Sequence, residues 1–411
     1  MPNEEDGGKT GRQDAGAPSE RNMSPENDSS LYRERFACTL AHQPVDRCPI
    51  DLGGTPQSTI EDPATETALA GLLGLSVPRP DAEEGGWKPP LPYDKCDWRI
   101  LERFDVDFRR AGGIVPFKTG REGRISETQH ADFFGIRTRF SGQHWSLAEG
   151  PLQHADIDQV AAYAFPTLDQ MDPALLGRWE GQARALREHT PFVIVGEHPV
   201  FGVLELACWL CGYDHVMLMM AADPDWVHLL FGKILAFQKL VIAEYYRRIG
   251  PWIHLTTSGD DFGTQHGLFM SPDMFREFVA PYMRERIAHT THFTDAVYMH
   301  HSCGAVFDIV PDLIGMGVRI LNPIQPKAQG MDPQRLKAAY GREIVFHGGL
   351  DTQEVLPSNN RETIACAVQE LLRIMNPTVE GGYIFAPAHN LQRDVSPQSI
   401  VWMYDAAAGR T

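Results

Sequence analysis

The sequence predicts an α/β protein built as a (β/α)8 barrel, and two observations support that fold class. Short apolar runs of strand length alternate with capped helices through most of the chain, and each run ends in a polar or glycine-bearing tip. The series opens at Cys48 to Leu52 and resumes at Pro191 to Val195, Trp252 to Thr257, Ala296 to His300, Val318 to Leu321, Ile344 to Phe346 and Gly382 to Phe385. Strands separated by helices pair in parallel through crossovers, and about eight of them favour a closed barrel over a doubly wound open sheet.

The helices between the strands carry their own start signals. Asp223-Pro224, Ser271-Pro272, Asp332-Pro333 and Ser396-Pro397 each set a side-chain oxygen just ahead of a proline at the first helical position. Gly250 and Gly341 stand where two helices should stop. Residues 55–153 break the rhythm, with a proline-rich loop at Lys88-Pro89-Pro90-Leu91-Pro92, a glycine turn at Ala111-Gly112-Gly113 and a hairpin around Ile136 to Trp145. They are expected to form an insertion after the first strand, partly covering the barrel mouth. Met1 to Ser30 is rich in Glu, Asp, Gly, Ser, Asn and Pro and lacks the apolar core of a signal peptide, so residues 1–30 read as a disordered tail and residues 31–411 as the barrel.

Composition narrows the function classes. With 54 acidic against 37 basic residues the net charge is −17, which disfavours nucleic acid and anionic membrane as partners; the expected partner is a small-molecule substrate. The apolar stretches Val216 to Ala222 and Ile234 to Ala243 are too short or too interrupted to span a bilayer. Seven scattered cysteines do not resemble a disulfide framework, so reduced thiols and a cytoplasmic location are expected.

In such a barrel, chemistry gathers at the C-terminal ends of the strands. The tips read Glu197-His198, Gly259-Asp260-Asp261, His300-His301-Ser302-Cys303, Asn322-Pro323-Ile324-Gln325, His347-Gly348-Gly349-Leu350-Asp351 and Pro387-Ala388-His389-Asn390. His301, Cys303 and His389 are the expected ligands of one zinc ion, with a fourth position left for water or substrate. Between His300 and His301, only the latter completes a His-x-Cys pair, and Gly304 lets the chain bend behind it. An ion so held could keep a substrate thiol as thiolate. Asp260 and Asp261 are the expected catalytic carboxylates, as general base or as support for the metal. Glu197, His198, Gln325, His347, Asp351 and Asn390 are the expected substrate contacts. The bland alternative makes Cys303 an inert core thiol, and spacing alone favours it. Cys208-Trp209-Leu210-Cys211 reads as core packing, because no second pair completes a zinc set.

Three stretches carry a resemblance: Ala41-His42-Gln43-Pro44-Val45-Asp46-Arg47-Cys48-Pro49-Ile50, Phe201-Gly202-Val203-Leu204-Glu205, and the tips from Gly259 to Pro397. Together they resemble the uroporphyrinogen decarboxylase superfamily over about Leu31 to Ala408. The resemblance implies a TIM barrel and an activity drawn from porphyrinogen decarboxylases or cobamide-dependent methyltransferases. The decarboxylases grip substrate propionates with an arginine-bearing loop after the first strand. Here that loop, Asp51-Leu52-Gly53-Gly54-Thr55-Pro56-Gln57, has no arginine, so a many-carboxylate tetrapyrrole lacks its anchors. The methyltransferase branch binds zinc through a His-x-Cys pair and a later cysteine. His301 and Cys303 match the pair, and His389 stands where that branch has cysteine, which makes the site one charge less negative.

The resemblance therefore implies a zinc-dependent methyltransferase that moves a methyl group between a corrinoid and a small acceptor or donor. The Asp-x-His-x-x-Gly pattern of corrinoid attachment is absent from the chain, so the corrinoid is expected on a partner protein. Two alternatives stay open. One is a metal-free decarboxylase of a small acid, with Asp260 or Asp261 protonating a carbanion-like centre and His198 or His347 holding the carboxylate. The other is a non-catalytic corrinoid or tetrapyrrole binding module.

Overall fold

The computed structural model describes residues 31–75, 96–141 and 145–410. The expected tail at 1–30 and the proline-rich stretch at 88–92 lie outside the described residues. The main sheet is parallel and holds β1 (Phe108–Ala111), β6 (Val193–Glu197), β7 (Leu255–Gly259), β8 (Val297–His301), β9 (Ile320–Asn322), β10 (Val345–His347) and β11 (Tyr383–Ile384), in that spatial order. Both edges of this sheet meet the segment at 48–52. Ile50 bridges Phe385 in parallel, and the Asp51 amide donates to the Phe385 carbonyl at 2.9 Å. On its other side the Asp107 amide donates to the Ile50 carbonyl at 3.0 Å. The two edges thus share one segment, and the curled sheet has the layout of a TIM-like barrel.

β1 corrects the sequence expectation. Residues 55–153 are not one insertion after the first strand, because Phe108–Ala111 supplies a strand of the main sheet between the 48–52 segment and β6. The glycine turn at 111–113 is the tip of that strand: Gly112 has φ +76° and a Cβ there would fall 2.0 Å from the Tyr245 hydroxyl. What stands apart from the barrel is a four-stranded antiparallel sheet of β2 (Gly123–Arg124), β3 (Gln129–Ala131), β4 (Arg137–Phe140) and β5 (Trp145–Glu149). The expected hairpin is its last pair, with Phe140 opposite Trp145.

Alternation along the strands decides what the barrel holds. Phe108, Val193, Val195, Leu255, Met299, Ile320, Val345 and Ile384 pack together inside, and Phe36 of the helix Leu31–Leu40 closes the lower end against Phe108, ring centroids 5.6 Å apart. Two residues further along several strands the same inward face becomes polar, with Arg110, Glu197, Thr257, His301, Asn322 and His347. An apolar lower layer thus carries a polar upper one at the C-terminal end of the sheet.

The expected caps form. Asp223, Ser271, Asp332 and Ser396 accept from the amides of Trp226, Met274, Arg335 and Ser399, respectively. The helix Pro224–Ile249, extended by a short turn to Trp252, is long and apolar enough to cross a membrane by length and composition. Its Trp226, Leu230, Ile234, Val241 and Tyr245 are buried against the barrel's other helices and strands, which uses that face within the fold.

Candidate metal centre

β8 carries two histidines in succession, and alternation separates them. Val297 and Met299 face the barrel interior, so His301 does too, while His300 turns into the helix layer and stacks on Phe262 at 5.4 Å and 17° between planes. Burial pushes the His300 pKa down to about 3, with help from Arg286. The chain bends immediately after β8 and brings Cys303 Sγ to 3.3 Å from His301 Nε2. The loop after β11 supplies His389. One ligand atom from each of His301, Cys303 and His389 lies within 4.8 Å of the others.

The donor set fits a zinc ion. Tetrahedral zinc with ordinary bond lengths separates a ligand nitrogen from a ligand sulfur by about 3.5 Å, close to the spacing found here. His301 Nδ1 is occupied by Asn322 Oδ1 at 2.6 Å, which leaves Nε2 for the ion. Burial holds the His389 imidazole below its usual pKa and therefore neutral, as a ligand must be. Burial first, and then the Asp261 carboxylate, push the Cys303 thiol well up, so a thiolate here calls for a cation beside it.

Backbone contacts fix the Cys303 loop from three sides. Asp261 Oδ1 accepts from the Cys303 amide at 2.8 Å and sits 3.6 Å from His301 Nε2. Gln325 Oε1 accepts from the Gly304 amide at 2.7 Å, and Ser302 Oγ accepts from the Phe262 amide at 2.9 Å. Gln325, expected as a substrate contact, is thus a support of the Cys303 loop.

The other expected residues divide into two groups. A cavity of about 260 Å³ opens beside the cluster, and Glu197, His198 and Asp261 line it together with His301, Cys303 and His389. His198 is almost fully buried there; Arg286 Nη2 lies 3.0 Å from its Nδ1, and Thr290 Oγ1 3.2 Å from its Nε2. Burial, and then Arg286, hold its pKa well below the usual value. Four expected residues are placed away from the cavity. Asp260 turns its carboxylate to the helix Val203–Cys211, accepting from the Leu204 amide at 3.0 Å and the Glu205 amide at 2.8 Å. Burial lifts its pKa to about 7. Asp351 caps its own turn, accepting from the amides of Gln353, Glu354 and Val355. Asn390 Oδ1 accepts from the Thr59 amide at 2.9 Å and ties the last strand's loop to the first. His347 is fully buried, with Nδ1 on Asn322 Nδ2 at 2.7 Å and Nε2 on Asp51 Oδ2 at 3.0 Å.

The structure also brings in residues that the strand-tip reading passed over. Glu205 lines the cavity, and burial, followed by Asp260 and Asp261, raises its pKa to about 8. Phe201 and Trp209 pack edge to face at 4.6 Å and give the cavity an aromatic wall. Phe201 precedes the helix Val203–Cys211 and Trp209 lies near its end, so no single periodicity in the sequence joined the two. Cys208 and Cys211 are fully buried apolar-core residues, as expected.

A parallel α/β barrel with a metal-capable His, Cys, His cluster at its strand ends is the class of protein these features define. The chain belongs to the uroporphyrinogen decarboxylase (URO-D) family, whose profile matches residues 184–409. It is similar to a uroporphyrinogen decarboxylase of Chlorobium luteolum, 23% identical over 195 residues, which are 46% of this chain. That match spans half the length of the relative. In three dimensions it is similar to a methyltransferase from Methanosarcina mazei, with a TM-score of 0.64 and 17% identity over 92% of this chain and 99% of the other. At that identity the likeness is one of fold.

Proposed function

We propose that this protein is a zinc-dependent methyltransferase of the URO-D family that moves a methyl group between a corrinoid on a partner protein and a small molecule seated in the 260 Å³ cavity. The observation that carries the reading is the convergence of His301, Cys303 and His389 at the wall of that cavity. Bound zinc supplies Lewis acidity that makes a coordinated thiol or water a nucleophile near neutral pH. The chain's own residues do the rest. His301, Cys303 and His389 hold the ion, and Asp261, anchored on the Cys303 amide, presents a carboxylate that can take a proton from the small molecule. Glu205 is the complementary group, a carboxyl that stays protonated at neutral pH and can donate. Phe201 and Trp209 exclude water from one side.

The decarboxylase alternative needs anchors for carboxylates. Among the described residues lining the cavity, Glu197, Glu205 and Asp261 carry acids and none is a lysine or arginine, which supports a substrate other than a polyanionic tetrapyrrole. A cytoplasmic location and a corrinoid-carrying partner belong to the same proposal. The test is metal content of the full chain purified without a histidine tag, compared with Cys303→Ser and His389→Ala. About one zinc per native chain, lost in both variants, is expected. No stoichiometric metal in the native chain would overturn the reading.

A further inference from the structure

Behind the metal ligand His301 lies a line of buried polar side chains that neither holds the ion nor lines the cavity. His301 Nδ1 meets Asn322 Oδ1 at 2.6 Å, Asn322 Nδ2 meets His347 Nδ1 at 2.7 Å, and His347 Nε2 meets Asp51 Oδ2 at 3.0 Å. Asp51, Asn322 and His347 are each at most 1% exposed. Their elements come from three parts of the chain: the 48–52 segment, β9 and β10. Neighbouring inward positions on the sheet set them side by side, with His301 opposite Asn322 in the β8–β9 register.

The hydrogens in this line can be assigned from one end. Asp51 is an acceptor on both oxygens: Oδ1 takes the Gly54 amide at 2.9 Å, and Oδ2 takes the Ser58 hydroxyl at 2.7 Å and the Thr55 hydroxyl at 2.9 Å. A carboxylate so surrounded by donors needs a proton on His347 Nε2 as well. A neutral imidazole protonated there offers only a lone pair at Nδ1, so the Asn322 amide must turn its NH2 toward it. The amide oxygen then faces His301 and requires the proton on Nδ1. His301 Nε2 is left with its lone pair toward Cys303 and His389. Reversal of the amide would place a proton on that nitrogen and close it to a metal.

We infer that Asp51, His347 and Asn322 are positioning residues for the metal centre, a one-way hydrogen-bond relay that fixes the tautomer of His301 so that Nε2 is free to bind zinc. The inference rests on the zinc reading of the site and adds three residues to it. The relay also keeps His301 from rotating about its terminal bond, since both Asn322 and Cys303 hold the ring. Loss of such outer partners typically lowers metal affinity by about 10- to 100-fold.

Two measurements on the full chain test the relay. The first is nitrogen NMR of the metal-free native chain labelled at histidine, with the two rings assigned by their loss in His301→Gln and His347→Gln. Opposite tautomers are expected, Nδ1–H at His301 and Nε2–H at His347. The same tautomer at both, or Nε2–H at His301, overturns the relay. The second is zinc affinity by competition with a chromophoric chelator. His347→Leu should bind about 10- to 100-fold more weakly than native. His347→Gln, which can donate to Asp51 and accept from Asn322 in the same order, should stay within about threefold of it. Equal binding by His347→Leu, or equal losses in both variants, overturns the relay while leaving the zinc site standing. Failure of the native chain to bind zinc overturns the site itself.

Discussion

Gly304 packs against Gly263 with no room for a side chain. A Cβ on Gly304 would stand 2.3 Å from the Gly263 carbonyl carbon and 2.7 Å from the Thr264 carbonyl oxygen, and Gly304 itself has φ +84°. The two glycines let the loop after β7 and the loop after β8 cross closely enough for Asp261 to reach the Cys303 amide. Gly304→Ala must therefore adopt a disfavoured backbone conformation and push the loops apart. A loss of more than about 1 kcal/mol in unfolding free energy is expected, together with zinc content well below that of the native chain. Denaturant unfolding and elemental analysis of the same preparation check both.

Asp260 and Asp261 are neighbours with separate jobs. Asp260 caps a buried helix N-terminus, and a Cβ on Gly202 would lie 2.1 Å from its carboxyl carbon, so the fit is tight. Asp260→Ala should cost about 1 to 2 kcal/mol of stability. Asp261→Asn keeps an oxygen for the Cys303 amide but loses the charge beside His301. Its stability should stay within about 0.5 kcal/mol of native, while zinc affinity and any turnover fall. Equal destabilisation by the two substitutions would contradict this division.

His254 supplies a pH dependence remote from the metal centre. Its Nδ1 accepts from the Ile194 amide at 2.9 Å, and burial, with Arg187 and Arg33 nearby, depresses its pKa to about 3. In the unfolded chain the imidazole gains its proton near pH 6.5, whereas in the folded chain it stays neutral until about pH 3. The unfolded state therefore binds more protons across that window. Stability contributed by neutral His254 is fully present above about pH 6.5 and drains away as pH falls toward 3, with a slope of at most about 1.4 kcal/mol per pH unit. His254→Asn keeps an acceptor for the Ile194 amide and cannot titrate, so its urea midpoint should fall less steeply between pH 6.5 and 4 than that of the native chain.

Much of the barrel was legible because its signals are local. Strand-length apolar runs and Ser or Asp caps before proline appear in the chain where the structure has them, and the metal-capable cluster of His301, Cys303 and His389 sits at the ends of two such runs. β1 was not legible, since Phe108-Arg109-Arg110-Ala111 does not read as a core strand. Its arginines are buried by particular partners: Arg109 lies over the Phe192 ring at 3.6 Å, and Arg110 faces Glu197 at 3.4 Å. Asp260, Asp351 and Asn390 were misread for a related reason. A carboxylate or amide at a strand tip looks the same in sequence whether it faces a cavity or caps backbone, and only the fold shows which amides lie within reach. The partnership of Asp51, Asn322 and His347 spans nearly three hundred positions of chain and exists only once the sheet curls.

The two histidines that end β8 point to opposite sides of the sheet, one into the cluster and one onto Phe262. A single inserted or deleted residue within that strand would exchange them. The same slip would pull Met299 out of the barrel interior and put Tyr298 in its place. The candidate ligand His301 and the packing of the core therefore depend on one register. A change of length in β8 would strike stability and the candidate site in one event.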